Sequence, residues 1–81
     1  MQPYTNLSGQ SNVRAYQTGV DFIIIEFMSG HETFYKYTYV SAGSSTIEHM
    51  KNLANQGHGL NSYISKNKPG FAAKSSTQAA L

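Results

Sequence analysis

The sequence predicts an α+β domain, a three-stranded antiparallel β-meander packed by one main C-terminal helix and one short helix. Three observations predict it. Tyr35, Tyr37 and Tyr39 recur at two-residue spacing, which places them on one face of a strand. The run Val20-Asp21-Phe22-Ile23-Ile24-Ile25-Glu26-Phe27 is β-branched and apolar on both alternating faces, the pattern of a central strand. After residue 44 the period changes, and Ile47, Met50, Leu53 and Ala54 take the three- and four-residue spacing of a helix face.

The elements follow in order along the chain. Residues 1–10 contain Pro3, Asn6, Ser8 and Gly9 with little apolar periodicity and predict an irregular N-terminal arm. Ser11–Tyr16 reads as a short strand that forms a hairpin with the β-branched run through Gln17-Thr18-Gly19. Met28-Ser29-Gly30-His31-Glu32 is a second turn, followed by the tyrosine strand Thr33–Val40. Ser45 and Glu48 have capping-box spacing at the start of a helix over Ser45–Asn55, which Gly57 and Gly59 end. Leu60, Tyr63 and Ile64 predict a short helix over Leu60–Lys66, and Pro69-Gly70 closes the domain. The folded domain is thus expected over residues 11–69, with a flexible tail over 70–81.

Composition narrows the function classes. A chain of 81 residues forms one domain and hides only about 60–65% of its unfolded surface, so a homo-oligomer is a natural way to add stability. It has no cysteine, which removes disulfides and thiolate chemistry and fits a reducing cytoplasm. No run approaches the length of a membrane span, and the opening residues lack the features of a signal peptide. The net charge of +2 is uneven: Arg14, Lys36 and Lys51 are outnumbered by Asp21, Glu26, Glu32 and Glu48, and the excess comes from Lys66, Lys68 and Lys74. A folded part that is not basic argues against duplex DNA, whose binding grows with the number of phosphates neutralised.

Several residues and their spacing resemble the KTSC domain, a family named for the C-terminal domain of some lysyl-tRNA synthetases and also found as stand-alone proteins of bacteria and phages. The resemblance runs over about residues 11–67. It is carried by Ser11-Asn12-Val13 leading to Tyr16, by Ile23–Gly30, by Tyr35-Lys36-Tyr37, and by Ala54-Asn55-Gln56-Gly57 followed by Leu60–Ile64. It implies a small α+β fold and leans toward RNA binding.

Two binding roles follow. In the first, Tyr35, Tyr37 and Tyr39 stack the bases of single-stranded RNA or a nucleotide, with Lys36 or Lys66 meeting phosphate. Gly57 and Asn61, at the break between the helices, would offer backbone N–H groups to phosphate. The competing use of the tyrosines is packing beneath the helix, which a small domain needs in order to fold. In the second role the protein is an interaction module or inhibitor that occupies a protein partner or sequesters a nucleotide signal as an oligomer. No catalytic residue, metal site or cofactor is expected. His31, His49 and His58 lack close ligand partners, and the carboxylates are spread over strands, a turn and a helix start.

Overall fold

The isoleucine run sets the architecture, because a strand apolar on both faces is stable only inside a sheet covered on both sides. In the computed structural model, which describes residues 1–81, the chain runs through strands β1 (Gln2–Pro3), β2 (Val13–Thr18), β3 (Phe22–Phe27) and β4 (Phe34–Thr38). Helices α1 (Tyr39–Ala42), α2 (Ser44–Gln56) and α3 (Leu60–Asn67) follow, then strand β5 (Ala73–Ser75) and a 3-10 turn over Gln78–Ala80. The sheet is antiparallel with order β1-β2-β3-β4-β5. The fold is therefore α+β as expected, but with five strands rather than three.

β3 is central, and Ile23, Ile24 and Ile25 are all buried. Ile23 and Ile25 lie opposite Tyr37 and Tyr35, so this face meets the helices, where Ile47, Met50, Ala54 and Leu60 complete the core. Each buried Ile, Met or Leu side chain among them contributes about 1.5–3 kcal/mol. A register shift between Val13 and Ala15 inserts Arg14 as an extra residue in β2. That bulge lets Val13 and Tyr16, three residues apart, both join the core.

Both ends differ from expectation. The arm over residues 1–10 supplies β1, which pairs with β2, and Tyr4, which is 6% exposed in the core. The Tyr4 hydroxyl accepts from the Leu60 backbone N–H at 3.4 Å, and the Tyr4 N–H donates to the Arg14 carbonyl at 3.0 Å. The segment over 70–81 returns to the sheet, pairs β5 with β4, and reaches across to β2, where the Gln78 amide donates to Gln17 at 2.6 Å. Local pattern predicts neither strand. Two or three residues of modest β propensity become extended only when a neighbour supplies the ladder.

The tyrosine strand stops at Thr38, and the capping box, Thr38 with Ser41, lies seven residues before the expected Ser45–Glu48 pair. The Thr38 hydroxyl accepts from the Ser41 N–H, and the Ser41 hydroxyl accepts from the Thr38 N–H, both at 3.0 Å. α2 has Gly43 as its N-cap, with no side-chain cap hydrogen bond, and Glu48 pairs with Tyr39 and Lys51 instead. Gly57 ends α2 in the left-handed region, and a Cβ there would fall 2.6 Å from Thr5 Cβ, so the arm packs directly on this turn. Gly70 permits an equally close approach, since a Cβ would stand 2.5 Å from the Ser41 carbonyl oxygen.

Tyr4→Ala is expected to lower stability by about 3 kcal/mol or more, as loss of a buried aromatic does. Urea denaturation checks it. A change below about 0.5 kcal/mol, the scale of ordinary surface substitutions, would show that the arm is dispensable to the core.

Candidate functional site

The inner sheet face is not free, because the helices lie on it. Tyr37, 3% exposed, belongs to the core. Tyr35 is half-buried and forms an aromatic hub. Its ring lies nearly parallel to Tyr37 at 6.3 Å and perpendicular to Phe27 at 5.4 Å and to Phe71 at 5.0 Å. The packing use of the tyrosine row therefore holds for Tyr37, while Tyr35 stands at its margin.

That margin opens into a cleft of about 430 Å³ between the turn 28–33, the sheet and α3. Phe27, Tyr35, Tyr37 and Ile64 form its apolar wall, and Asn12, His31 and Glu32 add polar groups. The turn is tied down at both sides. The Met28 N–H donates to the Asn12 carbonyl at 2.7 Å, and the Phe27 N–H donates to the Thr33 carbonyl at 2.7 Å. The Ser29 hydroxyl donates to the Asn12 side-chain oxygen at 3.1 Å, an arrangement that leaves the Asn12 amide nitrogen available to a ligand. An apolar wall with a few convergent polar groups is the common chemistry of small-molecule pockets.

The remaining expected site residues do not assemble with these two tyrosines. Lys36 lies on the outer face, with its ammonium 4.9 Å from the centre of the Phe22 ring. Tyr39 starts α1 and donates to the Glu48 carboxylate at 2.6 Å, while Lys51 donates to the same oxygen at 2.9 Å. The hydrogen bond to Glu48 raises the Tyr39 pKa, and the bonds from Tyr39 and then Lys51 lower that of Glu48. Gly57 has no N–H to offer phosphate, since that group already bonds the Leu53 and Ala54 carbonyls at 3.1 Å. Lys66 is exposed in the last turn of α3. Asn61 lines a separate cavity of about 390 Å³ with Ser8, Gln10, Ser11, His58, Gly59 and Ser62, none of them a hydrophobic residue.

No protein-family model, curated protein or solved structure matches this chain. Its own residues carry the functional argument. No group of three or more His, Cys, Asp or Glu side chains is placed to hold a metal ion, and no helix is long and apolar enough to cross a membrane. Local patterning singles out Tyr35 and Tyr37 but not Asn12, Glu32 or Ile64. These three are neighbours only after the hairpin and α3 close over one another. His31 is visible only as a turn residue, with nothing local to show that it faces a cleft.

Burial, and then the neighbouring Tyr35, push the Tyr37 hydroxyl from 10.0 up to about 12. A raised folded-state value means that this group's contribution is intact below pH 10 and is lost as pH rises from 10 toward 12. The loss amounts to roughly 3 kcal/mol at about 1.4 kcal/mol per pH unit. Urea melts between pH 9 and 12 check this prediction: stability falls in the wild type, and Tyr37→Phe flattens the fall. An equal fall in both proteins would place its origin elsewhere.

Proposed function

We propose that this protein is a non-enzymatic binding protein whose cleft receives one planar base, from single-stranded RNA or from a nucleotide. The observation that carries the reading is the position of Tyr35, half-buried in the cleft wall beside the parallel Tyr37 ring, with Asn12 and His31 on the same cavity. A base against Tyr35 would meet an aromatic surface, while its polar edge would meet the side-chain groups of the turn. Burial of Tyr37 and the outward placement of Lys36 favour one inserted base over a strand laid along the tyrosine row.

The test is titration of the protein with four nucleosides and with short single-stranded RNA, followed by tyrosine fluorescence. Saturable binding is expected, weakened about 5-fold or more in Tyr35→Ala, because stacking on an aromatic residue contributes about 1–3 kcal/mol per base. Circular dichroism would establish that the variant is folded. Equal binding by folded Tyr35→Ala would remove the ring from the site.

A second reading, interaction with another protein and first of all with a second copy, is favoured by two exposed valines outside the cleft lining. Val20 and Val40 are 89% and 98% exposed. The Tyr39 N–H, next to Val40 in the chain, donates to the carbonyl of Asp21, next to Val20, at 3.0 Å. Self-association through this patch predicts a concentration-dependent sedimentation coefficient that Val40→Asp returns to the monomer value. A wild type that stays monomeric up to millimolar concentration would count against it.

A further inference from the structure

β5 brings to the tyrosine face a cation that the tyrosine strand does not itself provide. In the β4–β5 register Lys74 lies directly opposite Tyr35, so its side chain starts from the same sheet face, whereas Lys36, one residue along β4, emerges on the other. The Lys74 ammonium stands 5.6 Å from the centre of the Phe71 ring, which itself meets the Tyr35 ring at 5.0 Å. Its ionic partner is Glu32, a residue of the cleft, with Nζ 3.5 Å from Oε1. The lysine is carried by a paired strand and the carboxylate by a turn.

No lysine or arginine lines the cleft itself, so Lys74, at its rim, is the cation placed to meet an anion attached to a ring bound there. A carboxylate and a phosphate oxygen are chemically similar acceptors for an ammonium group. The pair is also weak enough to exchange: both side chains are nearly half exposed, at 44% and 46%, and such pairs contribute about 0–1 kcal/mol. Resting on the cleft reading above, we propose that Lys74 is a ligand-binding residue for the phosphate of a nucleotide whose base enters the cleft, and that Glu32 occupies this anion position in the free protein. The shared chemistry is a planar base bearing a phosphate, which a free nucleotide and an RNA chain both supply.

This assignment gives Glu32 the role of a competitor, and the sign of its substitution is diagnostic. Isothermal titrations at low salt would compare adenosine, adenosine 5′-monophosphate and an adenylate tetranucleotide with the wild type, Lys74→Gln and Glu32→Gln. The nucleotide is expected to bind about 3- to 10-fold more tightly than the nucleoside, the range of an exposed charge-assisted contact. Lys74→Gln removes that advantage without changing adenosine binding. Glu32→Gln raises the affinity ratio of monophosphate to adenosine severalfold, because the carboxylate no longer holds the Lys74 ammonium. If the tetranucleotide gains more than the monophosphate, RNA is the source of the phosphate; if it gains less, a free nucleotide is.

The proposal is overturned if adenosine binds but the monophosphate binds no better, or if Glu32→Gln weakens both, which would make the carboxylate a reader of the base. Saturable adenosine binding in either case would leave the cleft reading standing. Absence of binding by all three probes to the folded wild type would overturn the cleft reading and this inference together.

Discussion

Burial of β3 on both faces is the constraint on which the rest of the structure depends. Three consecutive isoleucines leave no solvent-facing side, so one face must meet a helix layer and the other must be screened as well. On the inner face the helices provide the cover through Ile47, Met50, Ala54 and Leu60. On the outer face the flanking residues and the last turn provide it, with Lys36 over Phe22 and Gln78 reaching Gln17. A strand of this kind also makes the domain indivisible, since an inner strand requires neighbours at both edges.

That need explains why the two termini are structural. β1 and β5 are very short, which limits the open backbone edge they offer to other chains. Each also brings in side chains that the middle of the sequence lacks. The N-terminal arm adds Tyr4 beneath the start of α3 and sets Thr5 against Gly57, and the C-terminal segment places Phe71 and Lys74 beside Tyr35. The core and the cleft are thus both assembled from residues distant in sequence.

The same arrangement divides the tyrosines by role. Tyr37 lies beneath the helices, and Tyr39 leaves the strand because Thr38 and Ser41 cap a new helix there. Tyr35 remains half-buried in the strand at the margin of the row, where the turn 28–33 and α3 border a cleft. A strand of alternating aromatics therefore contributes a core residue and a cleft wall from one face.

Local pattern suffices for the α+β class, the central place of β3, the turn at Gly30, the main helix and the short one after it, because hydrophobic periods of two and 3.6 residues are local properties. It also marked Tyr35 and Tyr37 as sharing a face, since strand alternation requires it. Tertiary packing was needed to bury Tyr37, to turn Tyr39 out of the strand into α1, and to set Lys74 opposite Tyr35. It also recruited β1 and β5, whose residues carry too little β preference to be recognised alone. The physical reason is common to all of these: strand pairing and helix packing join segments far apart in the chain, and the environment of a side chain depends on those neighbours more than on its own sequence context.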